Sequence, residues 1–338
     1  MTRHETVHVA LGARSYDVLV GDGLLTAREH LAPRPLGGPL FPDSGIMRSV
    51  ALTADGGRVL RLDESASGIG DVLRLARPNM ASAWGVKDLT PYAVFPNRRL
   101  VQVLTTIDPG SAYRTGASAI STPDVIGHPA LDLFGVTCLL ATREVHHPRL
   151  EPVLAREGFH VYRRTPPAGL ETLSSAWVVP SAEGASSAVA LDLVTSGQIS
   201  PLSPRCIVPP EALEGTAAGP EPTTAWSAGL LEFDRPAPDR IDLLLRASSG
   251  GWLVISEAWY PGWKATVNGE DVKVSPADHA LMALPVPSGD AVVRLFYEPG
   301  SVRAGVILSV LATLFALFHA VRRRRPRPIH PQVTPDQP

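Results

Sequence analysis

Residues 263–274 read Trp-Lys-Ala-Thr-Val-Asn-Gly-Glu-Asp-Val-Lys-Val (WKATVNGEDVKV). Asn268-Gly269 at the centre is the dipeptide that a two-residue type I′ turn selects, because both central residues take positive φ. Such a loop opposes Val267 with Glu270, Ala265 with Val272 and Trp263 with Val274. Trp263, Ala265, Val272 and Val274 then share one apolar face, and Lys264, Thr266, Asp271 and Lys273 share the polar one. Turn chemistry and alternation agree on one register, which predicts an antiparallel hairpin with one side buried.

The surroundings repeat this pattern. Beyond Pro166, short apolar runs recur between turn signals at 176–179, 188–194, 229–233, 241–247, 252–256, 264–267, 272–274 and 292–297. Short strands so spaced predict an antiparallel β-sandwich over 166–300, with 201–222 mostly loop. Past the last strand, Ala304–Val321 (AGVILSVLATLFALFHAV) has no formal charge over eighteen residues. A bilayer core needs roughly 17–25 such residues, so 301–321 is expected to span. Arg322–Arg325 and Arg327 follow at once. Basic flanks stay in the cytoplasm, which makes 322–338 a cytoplasmic tail and places the rest of the chain outside. A buried helix of a soluble protein is the competing reading, and the arginine block weighs against it.

Upstream the pattern changes. Asn97 is a helix N-cap before NRRLVQVLTTI, whose apolar residues fall at 100, 101, 103, 104 and 107. Strands are predicted at 58–62, 136–141 and 159–162, a short helix near Pro129, and a further helix at 151–157. Together 36–165 form a small α/β unit. Residues 7–20 alternate weakly, as two short strands joined at 11–14, and 1–35 stand apart, ending in the Gly- and Pro-rich run PRPLGGPLFP at 33–42. The first thirty residues hold no apolar segment of the signal-peptide kind, so nothing in them explains how an outside domain would cross. The fold class is thus α+β, a small α/β unit followed by a β-sandwich and one C-terminal transmembrane helix.

Composition narrows the functions. The 338 residues carry a formal charge of -2, unevenly divided: the tail has five arginines against one aspartate, and the residues before it 26 basic against 32 acidic. An acidic body gives no reason to expect nucleic acid as a partner. Cys138 and Cys206 lack CxxC spacing. An oxidising location would permit a disulfide, but Cys138 sits in the apolar run FGVTCLLA, so two buried thiols are expected. His146, His147 and His160 lack the spacing and companion ligands of a metal site, and no metal or other cofactor is expected. No GxSxG elbow or activated nucleophile is present. Glu257, Asp278, Asp132 and Glu144 offer carboxylates without a spacing that selects a catalytic pair.

Two stretches resemble known families. Trp259-Tyr260-Pro261-Gly262-Trp263-Lys264-Ala265-Thr266-Val267-Asn268-Gly269, then Ala283–Gly289 (ALPVPSG), Tyr297–Ser301 (YEPGS) and Gly305, resemble the YfhO family of polytopic bacterial membrane proteins. Arg77-Pro78-Asn79, Gly85 and Leu131–Val136 (LDLFGV) are similar to the same family's extracytoplasmic region. The resemblance implies a C-terminal outside domain and last membrane helix of a lipid-linked-sugar glycosyltransferase, without the membrane part and early acidic loop that hold the catalytic residue. The chain is then not an enzyme on its own, and its expected partners are the bilayer and an envelope glycopolymer or a polytopic membrane protein. Residues Val9–Gly21 (VALGARSYDVLVG) resemble the opening strands of 3-dehydroquinate synthase, although the Gly-rich loop, catalytic Lys and metal ligands of that family are not found further along. That synthase, or a structural single-span envelope protein, is the alternative function.

For a binding site, Trp252, Trp259 and Tyr260 are the candidates for a carbohydrate-stacking platform, since flat rings supply contact area at little entropic cost. Core packing and the membrane interface, where amphipathic rings collect, remain the other readings for these aromatics.

Overall fold

In a computed structural model, residues 4–9, 16–21, 45–62, 81, 84–90, 97–110, 120–156, 158–170, 173, 175–214 and 230–323 are described. The chain divides into two compact units, Met1–Ser44 and Gly45–Pro338. In the first, β1 (His4–Val9) and β2 (Tyr16–Gly21) pair antiparallel, Val9 opposite Tyr16. These are the two short strands expected at 7–20.

The second unit opens with α1 (Gly45–Ala54) and a five-stranded mixed sheet. Its strands are β3 (Arg58–Leu62), β4 (Lys87–Asp88), β5 (Val136–Ala141), β6 (Leu150–Arg156) and β7 (Phe159–Arg164), ordered β4-β3-β5-β7-β6. Alternation assigns its two faces. Val59, Cys138, Leu140 and Val161 pack with Met47 and Val50 of α1. Leu60, Leu62, Leu139 and Tyr162 face the opposite way, toward Val103 and Leu104 of α2 (Arg98–Ile107). The N-cap predicted at Asn97 forms, its Oδ1 accepting from the amides of Arg99 and Leu100 at 3.0 Å each. A five-residue helix, α3 (Pro129–Leu133), leads into β5 as expected.

Two local readings are corrected. Residues 150–156 form edge strand β6, not a helix: Pro152 removes a donor, and the pairing with β7 shifts register between Pro152 and Leu154, the kind of place a sheet tolerates proline. The run at 188–194 forms helix α4 (Ser187–Thr195), capped by Ser186 Oγ to the amide of Val189 at 3.3 Å. Only Ala190 and Val194 of α4 are fully buried, an i,i+4 stripe that a short apolar run does not distinguish from a strand.

The remaining strands are β8 (Ala176–Val179), β9 (Ser181–Gly184), β10 (Arg205–Val208), β11 (Leu230–Ala237), β12 (Arg240–Ile255), β13 (Trp263–Val267), β14 (Glu270–Val272), β15 (Ser275–Ala277) and β16 (Leu281–Tyr297). Apart from the parallel pair β9–β10, they form one seven-stranded antiparallel sheet. Its axis is the pairing of the two long strands β12 and β16, interrupted by a register shift between Leu245 and Ser248. Gly251, just past the break and paired with Val286, has φ +127°, and a Cβ there would stand 2.3 Å from Val179 O. One half of the sheet carries β11 and the β13–β14 hairpin; the other carries β8 and β15. Ile241, Leu243, Val293 and Leu295 of the first half share a core with Leu253, Ile255, Met282 and Leu284 of the second. The second half presents its other face, with Trp177, Trp252, Val254 and Leu281, to the core of the α/β sheet.

The hairpin holds the predicted register, Ala265 opposite Val272 and Val267 opposite Glu270, with Asn268 and Gly269 at φ +53° and +89°. β14 stops at Val272, and Trp263 pairs instead with Tyr297 of β16. Finally α5 (Gly300–Arg323) leaves the end of β16. Its Gly300–Ala320 stretch is long and apolar enough to cross a membrane and has none of its surface buried by the rest of the chain. Among the described residues it is the one such helix.

Candidate functional site

The loop between β12 and β13, Ser256–Gly262, meets three things: the start of α5, the N-terminus of α2 and the β3–β4 edge of the α/β sheet. At the helix start, the amide of Glu298 donates to Gly262 O at 2.8 Å. Gly262 has φ +116°, and a Cβ there would lie 2.8 Å from Pro299 Cα, so glycine is required by both conformation and space. Glu298 bridges Lys264 Nζ at 3.0 Å and Arg303 of α5; these two cations hold its carboxyl below the usual range. The Trp263 and Tyr297 rings meet at a tilt, 49° between planes, with centroids 5.4 Å apart.

At the α2 contact, Asn97 does two jobs. Its Oδ1 caps the helix while its Nδ2 donates to Trp259 O at 3.0 Å. Two residues on, Arg99 lies over the Trp259 ring at 5.2 Å and donates to His279 O at 2.7 Å. The His279 imidazole is fixed between Gln102 Oε1 at 3.1 Å and Ser187 O at 2.9 Å; burial lowers its pKa. Beside it Asp278 is buried with no cation against it among the described residues, its Oδ1 accepting from the amide of Ile207 at 2.8 Å. Burial pushes this carboxyl up to about 7 against that hydrogen bond.

The three candidate aromatics therefore separate. Trp252 is 4% exposed within the main core and has no ring face to offer a ligand. Trp259 is half-buried beneath Arg99, and Tyr260 is exposed. Trp259 and Tyr260, carried on a loop pinned at both ends, keep a surface that a flat ligand can reach.

At the third contact, Glu257 sits among Arg235 Nη1 at 2.7 Å, Arg58 Nη2 at 3.1 Å and Lys87 Nζ at 4.0 Å, all measured to Oε1. Burial works to raise the Glu257 pKa, and the three cations outweigh it and hold it low. Lys87 is pulled down by burial, with Arg58 and Arg235 adding to the effect. Arg58 is anchored further on Phe134 O at 2.7 Å and on Ser256. Lys87 lies 5.1 Å above the Phe233 ring. Arg235 donates to Pro238 O at 2.8 Å in the β11–β12 turn, where Asp239 O accepts from the amide of Tyr297 at 2.9 Å. The cluster thus lies at the end of the sheet from which α5 departs. Sequence reading passed it over, because its successive members lie 29, 148 and 22 residues apart and only the parallel register of β3 on β4 sets Arg58 beside Lys87.

The other candidate groups have separate partners. Asp132 is bound by Arg149 and Arg164 at 2.7 and 2.6 Å, and Glu144 faces His146 at 3.8 Å in the open. Cys138 and Cys206 are free and buried, as expected; burial raises Cys138 to about 12 and Cys206 well above its ordinary value. Among the described residues no group of three His, Cys, Asp or Glu side chains converges as a metal site.

Comparison with known proteins falls on this same region. The model of the family described as bacterial membrane protein YfhO matches residues 240–309, from the start of β12 into α5. The uncharacterized protein YfhO of Bacillus subtilis (strain 168) is 26% identical over 88 residues, a match covering 26% of this chain and 10% of that protein. No solved structure matches. Residues 240–309, which carry the long-strand pair, the pinned loop and the start of the membrane helix, are thus similar to the YfhO family of bacterial membrane proteins.

Proposed function

We propose that this chain is a membrane-anchored extracytoplasmic domain that serves cell-envelope polymer glycosylation by binding the acceptor glycopolymer or a polytopic partner, without catalysing transfer itself. The observation that carries the reading is the pinned Trp259–Tyr260 loop. Asn97 and Arg99 fix it from one side and Pro299 from the other, so two aromatic rings are held beside the start of α5 at little further entropic cost on binding. Orientation follows from the arginines after α5, which favour a cytoplasmic C-terminus and an outside body.

Trp259 and Tyr260 are the proposed carbohydrate contacts. The full chain in micelles is expected to retain purified envelope glycopolymer, and Tyr260→Ala to weaken retention about tenfold, the loss of roughly 1.4 kcal/mol. Equal retention by Tyr260→Ala and the unaltered chain would remove the aromatic contact. Absence of both polymer binding and a co-purifying polytopic protein would end the proposal.

A further inference from the structure

We propose that Arg58, Lys87 and Arg235 form a binding site for a phosphate group, with Glu257 as the fixed counter-charge that gathers the three cations. This is independent of the glycopolymer reading. Three features of the cluster suit it to an anionic ligand.

The first is its charge. Among the described residues three cations share one carboxylate, leaving +2 in a place where Arg58 and Glu257 keep only 12% and 13% of their side-chain surface. The other carboxylates nearby are directed elsewhere. Asp88, next to Lys87, is taken by Arg61 and Thr90 on the other side of the strand. Asp234, next to Arg235, alternates to the exposed face and opposes Asp242.

The second is its register. Arg58 and Lys87 are direct partners on adjacent parallel strands, and like charges so placed destabilise a sheet. A local conflict of this kind marks a functional position when nothing in the fold relieves it. Glu257 relieves it only in part: its Oε1 is buried, with Arg235 2.7 Å away but off the favoured hydrogen-bonding angle. Lys87 has no hydrogen bond among the described residues, only the distant Glu257 and the face of Phe233.

The third is access. Lys87 and Arg235 each keep 29% of their side-chain surface open to solvent. A phosphate carries up to two negative charges and three acceptor oxygens. It matches the surplus of two and offers an oxygen to each cation, where a carboxylate would supply half the charge. The site lies near Tyr297, three residues before α5, so the phosphate could belong to a lipid headgroup of the same bilayer or to a soluble molecule.

The test is a calorimetric titration of inorganic phosphate into the full chain in dodecyl maltoside, a detergent without phosphate, at ionic strength matched with chloride. One saturable site is expected, weakened at least about tenfold by Lys87→Met and by Arg235→Gln, each of which deletes a charge-assisted contact. Glu257→Gln, which removes the competing anion, is expected to tighten binding. No saturable binding to the unaltered chain, or equal binding by Lys87→Met with an unchanged thermal midpoint, would overturn the site. Nanodiscs of phosphatidylglycerol separate the sources. Loss of phosphate binding there, restored in phosphate-free micelles, assigns the site to headgroups, and retained binding assigns it to a soluble phosphate.

Discussion

Two buried carboxylates, Asp132 and Glu257, are each surrounded by more than one cation, and the fold treats them in opposite ways. Around Asp132 the surplus charge is dispersed. Arg149 grips both carboxylate oxygens and shares Thr165 O. Arg164, with none of its side chain exposed, donates also to Ile126 O, Val136 O and His128 O. The guanidiniums are thereby supplied with acceptors, as a sealed ion cluster requires. Around Glu257 a third cation is added, the hydrogen bonding is thinner, and Lys87 and Arg235 stay open to solvent. The first cluster ties α3 to β7 and the loop before β6. The second leaves charge unspent at the membrane end of the sheet.

The sharpest way to break this contrast is to remove each carboxylate. Asp132→Ala leaves two buried guanidiniums facing one another without their anion, and a loss of about 3–5 kcal/mol is expected, read as a fall in the thermal midpoint of the chain in micelles. A loss under 1 kcal/mol would mean that the backbone carbonyls alone satisfy Arg149 and Arg164.

Asp278 extends the comparison to a carboxylate with no cation. Its folded pKa, about 7, lies above the ordinary aspartate value of 3.8 because of burial. As pH rises past 4 the unfolded chain ionises this group while the folded chain keeps it protonated, so folding loses stability between about pH 4 and 7 and no more beyond. Asp278→Asn has no such loss. Relative to the unaltered chain it is expected to gain on the order of 2–4 kcal/mol across that window. Denaturant midpoints at pH 4, 5.5 and 7.5 measure it, and a gap that does not change with pH would show that Asp278 is ionised in the fold.

Much of this frame was legible beforehand, and the reasons differ by element. The Asn268-Gly269 hairpin was readable because turn type and alternation are local and agree. Asn97 was readable as a cap, and α5 by length and composition. Residues 151–157 and 188–194 exchanged identities, because each is a short run whose period is decided by a partner: β7 in one case, and the core contacts of Ala190 and Val194 in the other. Trp252 was grouped with Trp259 and Tyr260 by composition, yet successive residues of β12 point to opposite faces, and Trp252 falls on the face packed against the α/β sheet. The Glu257 cluster had no signature at all. A site assembled from two sheets through a parallel register leaves no spacing in the chain.

Glu257→Gln tests whether that cluster is sealed or open. An open cluster lets water screen the three cations, so the expected cost is about 1–2 kcal/mol, well below that of Asp132→Ala. Added inorganic phosphate is expected to restore the midpoint, whereas it does nothing for Asp132→Ala. A cost equal to that of Asp132→Ala would place Glu257 with the sealed clusters and erase the difference between the two regions.

The smallest effect is the most discriminating. Lys87→Met keeps the length of the side chain, its apolar stem and its contact with Phe233, and deletes a cation that faces Arg58 across the strand pair. If Lys87 were there to stabilise the fold through Glu257, the variant would lose stability. That attraction, across 4.0 Å, is outweighed by the cost of burying the ammonium together with repulsion from Arg58 on the adjacent strand and from Arg235. Like-charge strand partners cost about 0.2–1 kcal/mol, so the expected outcome is a thermal midpoint unchanged or slightly raised, by up to about 1 kcal/mol in equivalent stability. A lysine that the fold does better without is held there for something outside the fold, and a lowered midpoint in Lys87→Met would instead return it to the architecture.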